Sequence, residues 1–437
     1  MMKKQINNDL KKILAAVACA GMILSGCAGG GDAAKTDSSK SEVSTSASVA
    51  AASEEGDTED VSDVSSAASK SSEDTEKNAG TELVKDENAV EIDGLEYEGS
   101  MEPEYADGFA VHYYNDGYKV IEVRDDADYL IVPEGKDAPD GLDDDIQLLY
   151  QPLDDIYIAA TSAMALFDSI DALGNIKFSG TKADGWYVDN AVSAMNDGDI
   201  TYAGKYSAPD YEMLLDSNCD LAIESTMILH SPKVQEMLET IGIPVFVDRS
   251  SYEEHPLGRT EWIKVYAAML NKEEDAEEFF KTQTDIIDEM KDYEKTDLKV
   301  AFFYVDSNGS VNVRNANDYI PKIIEMGGGE YVYNDVFAEN AGSASTTVSM
   351  EQFYDAALDA DYLIYNASID KPITSVDDLI AKNELFAEFK AVKEGHVYST
   401  GKGLYQATDK MANFINDIHL MLSGGEKSDM SFIYPVE

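Results

Sequence analysis

Two segments of this chain repeat one pattern, and that repeat limits the fold more than any other feature. In the first, Ala208-Pro209-Asp210-Tyr211-Glu212-Met213-Leu214-Leu215 leads to Asp220-Leu221-Ala222-Ile223-Glu224-Ser225. In the second, Val348-Ser349-Met350-Glu351-Gln352-Phe353-Tyr354 leads to Asp361-Tyr362-Leu363-Ile364-Tyr365-Asn366. Each has a capped helix beginning around a glutamate, then an aspartate, then an apolar strand that ends in polar residues. Apolar runs at 156–160, 176–178, 221–223 and 245–247 alternate with helical stretches, and a second set follows at 300–305, 362–365 and 397–399. Such alternation builds parallel or mixed sheets flanked by helices. The expected fold is α/β with two lobes, 156–258 and 295–437. The polar strand ends, Glu224-Ser225-Thr226 and Asn366-Ala367-Ser368, fall where open α/β sheets place their ligands. A cleft between the lobes is therefore the expected site.

Residues 259–294 join the lobes without a Gly or Pro and are rich in helix formers, broken in pattern only near Asn271-Lys272. Its second half, 273–293, would reach about 30 Å as a helix. Periodicity leaves open whether it is an ordinary surface helix or a rigid strut between the lobes. Upstream, β-rich runs at 109–114 and 118–123 flank Asn115-Asp116-Gly117, a good hairpin turn because positive φ costs these residues little. A further strand at 129–132 stops at Pro133. Residues 91–155 are expected to form a small β-hairpin decoration.

At the N-terminus, Lys3, Lys4, Lys11 and Lys12 precede an apolar run at 13–24, the layout of an export signal. The run is short for a membrane span, which needs about 20 apolar residues. Leu24-Ser25-Gly26-Cys27 follows and resembles the lipobox of bacterial lipoproteins, with cleavage after residue 26 and lipid on Cys27. Two or three acyl chains there would hold the protein on the lipid bilayer at the outer face of the membrane. Residues 28–90 carry 15 acidic and 5 basic side chains and no aromatic residue. They are too polar to bury a core, so 27–90 reads as a disordered tether. Cys19 leaves with the signal, so Cys219 alone remains in the folded part and no disulfide forms within it. The net charge of −52 excludes a nucleic-acid binder, because phosphate would be repelled.

With the repeat, three further segments resemble a known family: 206–212, 248–262 (Asp248-Arg249-Ser250-Ser251-Tyr252-Glu253-Glu254-His255-Pro256-Leu257-Gly258-Arg259-Thr260-Glu261-Trp262), and 384–397 ahead of Gly401-Lys402-Gly403-Leu404-Tyr405-Gln406. The family is that of helix-linked substrate-binding lipoproteins of ATP-driven importers for iron–siderophores, haem and cobalamin. The resemblance covers about 156–422. It implies two Rossmann-like lobes joined by a long interdomain helix, an ABC permease with its ATPase as partner, and a ferric siderophore as ligand, with cobalamin or haem as alternatives. It also implies that Glu212 and Glu351 dock into arginine pockets of the permease. Each of these glutamates equally suits the start of a helix, where the dipole stabilises a carboxylate by a few tenths to about 1 kcal/mol.

Nothing in the sequence assembles catalytic chemistry. His112, His230, His255, His396 and His419 are scattered, none paired at helical spacing or near a cysteine. Gly327-Gly328-Gly329 follows a helical stretch and reads as a helix stop, not a phosphate loop. A bulky anionic chelate demands aromatic faces and arginine. Ser162, Trp186, Tyr187, Tyr206, Thr226, Arg249 and Tyr252 are the candidates from the first lobe, and Arg314, Asn366 and Tyr405 from the second. Core packing is the competing role for every aromatic, and a structural ion pair for either arginine. Arg249, with Tyr252 beside it, is the expected charge-recognition residue. An exported enzyme would instead need a titratable cluster in the cleft, and an adhesion module a flat apolar patch.

Overall fold

The computed structural model describes residues 83–143, 145–293, 295–334 and 343–437. Cys27 and most of the expected tether lie outside them. Three large sheets and one two-stranded pair account for the described strands.

The first sheet is larger than a hairpin. It runs β1 (Tyr97–Met101), β2 (Phe109–Tyr114), β3 (Lys119–Val123), β4 (Asp128–Val132) and β5 (Ile146–Tyr150) in simple order. β1 to β4 are antiparallel and β5 lies parallel to β4. The β2–β3 turn carries Asp116 at φ 62° and Gly117 at φ 84°, as the Asn-Asp-Gly sequence predicts. Val84 bridges to Ser100, so the ordered body begins inside the segment expected to be tether. Side chains alternate across a strand, giving the sheet two apolar faces. Val120, Leu130 and Val132 cover one with Ile92 and Tyr114, whereas Val111, Ile121 and Ile131 join the core of the first lobe. Phe109 packs on Trp262 at 5.3 Å between ring centres and Tyr129 on Phe246 at 4.8 Å. The sheet is thus welded to the lobe.

The first lobe holds a parallel sheet in the order β12 (Val245–Asp248), β11 (Leu221–Ser225), β6 (Ile156–Ile158), β7 (Ile176–Ser179), β8 (Thr201–Tyr202), with a small pair β9 (Gly204–Lys205) and β10 (Ala208–Pro209) beside it. In the second lobe, β13 (Lys299–Val305), β17 (Tyr362–Tyr365) and β18 (Val397–Thr400) are parallel neighbours. β14 (Val311–Arg314), β16 (Ser345–Val348) and β19 (Ile433–Pro435) extend this sheet antiparallel, and β15 (Glu330–Tyr331) pairs with β13. The duplicated pattern now has a structural counterpart. β11 and β17 are the central strands of equivalent parallel triples, each preceded by a short helix, Tyr211–Asp216 or Met350–Ala357.

Residues 259–294 do not form one continuous helix. They divide among Pro256–Glu261, Ile263–Leu270 and Glu273–Met290, with breaks at Trp262 and at Asn271, whose left-handed φ of 57° ends the second helix. The first two are core elements: Leu257 of the first and Ile263, Val265 and Tyr266 of the second are wholly buried. The 18-residue helix Glu273–Met290 gives Phe280 to the first lobe's core and Met290 to the second's.

Candidate functional site

A cavity of about 720 Å³ opens between the lobes. Its two walls differ in chemistry. The first lobe supplies hydroxyls at the carboxyl ends of its strands, Thr161, Ser162, Ser225, Thr226 and Ser251, with Tyr252 and Met227 at the mouth. The Ser162 hydroxyl donates to the carboxylate of Asp248, which also accepts from the Ser250 amide at 2.9 Å. Burial pushes the Asp248 carboxyl above its ordinary pKa, while these hydrogen bonds pull it down. Because Ser162 spends its proton on Asp248, its lone pairs are left for a ligand donor.

The second wall is cationic and aromatic. Arg314, at the end of β14, holds Asp318 in a fork, Nε to Oδ1 at 2.8 Å and Nη2 to Oδ2 at 2.5 Å. Asp318 also caps the helix Tyr319–Met326 through the Ile320 amide at 3.0 Å. Burial lowers the Arg314 pKa, but Tyr405 and Asp318 outweigh it and leave the group above its ordinary value. The guanidinium lies 5.9 Å from the Tyr405 ring centre, and the Tyr405 hydroxyl accepts from Asn366 Nδ2 at 2.8 Å. Arg259 enters from the helix Pro256–Glu261, its guanidinium carbon over the Tyr319 ring at 3.6 Å from the ring centre. Its Nε donates to the Glu253 carbonyl at 3.1 Å and its Nη2 to the Ser251 carbonyl. No carboxylate of the described residues forms an ion pair with it. Burial lowers its pKa, opposed by Tyr319 and Asp318.

Of the residues expected from sequence, Ser162, Thr226, Tyr252, Arg314 and Tyr405 meet at this cavity. Asn366 stands behind Tyr405 and is 1% exposed. Trp186 is a core residue: it is 3% exposed and its Nε1 is spent on Ser179 Oγ at 3.0 Å. Tyr187 lies off the lining, where its amide donates to Gln406 of the second lobe at 2.7 Å. Tyr206 sits in the turn between β9 and β10, also off the lining. Arg249 faces the N-terminal sheet, with Nη2 on the Asp125 carbonyl at 2.6 Å, because the chain turns outward after β12. Sequence reasoning missed Arg259 and Tyr319. Arg259 falls at the start of the expected connecting helix; the scarcity of basic residues, 33 against 85 acidic, is the signal that marks it.

Glu212 and Glu351 are both exposed in the first turns of the helices that precede the central strands. Asp210 caps the first helix through the Met213 amide at 3.0 Å, and Ser349 with Gln352 forms a capping box on the second. The Glu351 carboxyl is held below its ordinary pKa by its own backbone amide and the Ser349 hydroxyl. Among the described residues no group of His, Cys, Asp and Glu is arranged to hold a metal ion, and no helix is long and apolar enough to cross a membrane.

Two α/β lobes facing each other across a cavity define a ligand-binding protein. The chain belongs to the periplasmic binding protein family, whose model matches residues 164–404. It is 26% identical over 378 residues to an uncharacterised lipoprotein of Methanocaldococcus jannaschii, covering 81% of this chain and 88% of that one. A periplasmic haem-binding protein of Vibrio cholerae superposes with a TM-score of 0.51 at 17% identity, over 61% of this chain and 98% of that one. A periplasmic haem-binding protein of Pseudomonas aeruginosa gives 0.51 at 13% identity, over 65% and 98%. At these identities the likeness is one of fold. The family is one of substrate-binding proteins, not enzymes.

Proposed function

We propose that this chain is the extracytoplasmic substrate-binding lipoprotein of an ATP-driven importer, and that its ligand is an anionic ferric siderophore. The observation that carries the proposal is the gathering of Arg259 and Arg314 at one inter-lobe cavity in a chain of net charge −52. Such a protein repels anions at long range, so an anionic ligand needs a local, desolvated cation to offset the field. Tyr252 and Tyr405 offer ring faces to a bulky chelate, and the hydroxyl wall offers hydrogen bonds to its periphery. Haem is the second reading, favoured by the same arginine and tyrosine wall, since its carboxylates make the same demand. An enzyme is disfavoured because the cavity's buried carboxylates are already committed, Asp318 to Arg314 and Glu253 to backbone amides.

In this account Glu212 and Glu351 are the docking carboxylates for arginines of the permease, and Cys27 carries the lipid that holds the protein at the membrane. Support for the docking role comes from their equivalent, exposed positions; support for the anchor comes from the lipobox and from a relative named as a lipoprotein. Native mass spectrometry and absorption spectroscopy of protein purified from its source test the ligand. A ferric catecholate or hydroxamate band with a matching mass is expected. A Soret band would shift the assignment to haem, a corrin spectrum to cobalamin, and an iron-free organic ligand would overturn it. For the anchor, Cys27→Ala is expected to abolish lipid labelling; processed protein that stays with membranes would refute it.

A further inference from the structure

The cleft segment that carries Arg259 is held from outside by backbone of the N-terminal sheet. Glu253 Oε2 accepts from the Asp107 amide and Oε1 from the Gly108 amide, both at 2.9 Å, and Oε1 accepts again from Trp262 Nε1 at 2.8 Å. One helix further on, the buried Glu261 carboxylate takes the amides of Glu104, Tyr105 and Ala106 at 2.9, 2.8 and 2.9 Å. Arg259 lies between these two clamps. Its guanidinium has two carbonyl acceptors, those of Ser251 and Glu253, so its aim depends on where that loop is held.

We propose that Glu253 is a positioning residue for Arg259, and that the N-terminal sheet is thereby a working part of the binding site. This rests on the inter-lobe cavity being the ligand site. A carboxylate suits the role because it only accepts, and three donors converge on it; glutamine would turn an NH₂ group toward one of them. The seat at Gly108 is equally specific. A Cβ there would stand 2.7 Å from Glu253 Oε1 and 3.1 Å from Trp262 Cζ2, so any side chain displaces the carboxylate. The link therefore runs from Gly108, through the Glu253 carboxylate and carbonyl, to the Arg259 guanidinium.

The competing account is a clamp that fastens sheet to lobe and leaves Arg259 unaffected. The full-length protein and its Glu253→Gln and Gly108→Ala variants distinguish the two. Gly108→Ala keeps every hydrogen-bonding group and covers the case in which Glu253→Gln does not fold. The ligand-free readout is phenylglyoxal labelling of Arg259 relative to Arg314, measured by peptide mass spectrometry; the second is titration with a ferric tris-catecholate complex. Both variants are expected to raise the Arg259-to-Arg314 labelling ratio by about threefold or more and to weaken the chelate by a similar factor, part of the roughly tenfold that a whole charge-assisted hydrogen bond supplies. An unchanged ratio together with a lower melting temperature would overturn the proposal. A raised ratio in a protein whose wild type ignores the chelate would uphold the positioning role and overturn the ligand class instead.

Discussion

The two lobes are built on one plan and finished differently. At the fourth position of their central strands stand Glu224 and Tyr365. The Tyr365 hydroxyl donates to Asp370 Oδ2 at 2.6 Å, and Lys382 Nζ donates to the same carboxylate oxygen at 2.5 Å. Glu224 is wholly buried with no hydrogen-bond partner for either oxygen among the described residues, near Tyr157 and Tyr211. The cleft walls differ in the same sense: hydroxyls line the first lobe, and the compensated Arg314–Asp318 fork lines the second. A repeated scaffold thus fixes where strands end without fixing what they present, and the ligand meets two unlike surfaces.

The equivalence of the lobes is most open to attack at Glu212 and Glu351. Reversing both to Arg is expected to stop uptake by cells while leaving chelate affinity nearly unchanged, since like charges would meet at the permease. Normal uptake, or lost ligand binding, would break the equivalence. On the second wall, Arg314→Ala leaves the buried Asp318 without its partner and is expected to cost about 3–5 kcal/mol of stability, read by denaturant unfolding. A variant as stable as wild type would show that the fork is not what holds that wall.

On the first lobe, burial pushes the Glu224 carboxyl up to about 8 from an ordinary 4.5. The folded state then keeps a proton that the unfolded chain has released, so this group makes stability fall as pH rises from about 4.5 to 8 and flatten beyond. The swing is of the order of a few kcal/mol. Glu224→Gln is expected to remove that slope and to melt higher than wild type at pH 9; the same slope in both proteins would refute the buried neutral acid. The smallest effect is reserved for Arg249→Ala, which loses a hydrogen bond to the Asp125 carbonyl. About 1 kcal/mol of stability should go, with chelate binding unchanged. A weakened chelate would return charge recognition to the position first expected from sequence.

Periodicity and turn chemistry made much of the fold legible. The apolar strands of both lobes and the Asn-Asp-Gly turn are where those signals put them, since short apolar runs bounded by helices have few alternatives. β5 was hidden because Ile146-Gln147-Leu148-Leu149-Tyr150 follows an acidic loop and pairs with β4 only through tertiary contact. The break at Asn271 was legible, since the helical pattern lapses at Asn271-Lys272 and asparagine tolerates the left-handed conformation; the break at Trp262 carried no such signal. For the site, strand ends located Ser162 and Thr226, and aromatic character located Tyr252 and Tyr405. Arg249 and Arg259 were not separable by the same reasoning. Both follow β12, and only the turn at 250–252 and the helix Pro256–Glu261 aim one away from the cavity and the other into it.

The central claim is that an anionic ligand is recognised by Arg259, which forms no ion pair among the described residues, together with Arg314. Titration of wild type and Arg259→Ala with a ferric tris-catecholate complex at two salt concentrations tests it most directly. Arg259→Ala should weaken the chelate by about tenfold or more, the loss expected for a charge-assisted hydrogen bond, and cost only about 1–3 kcal/mol of stability through its two carbonyl contacts. Equal affinity in the two proteins would contradict the claim.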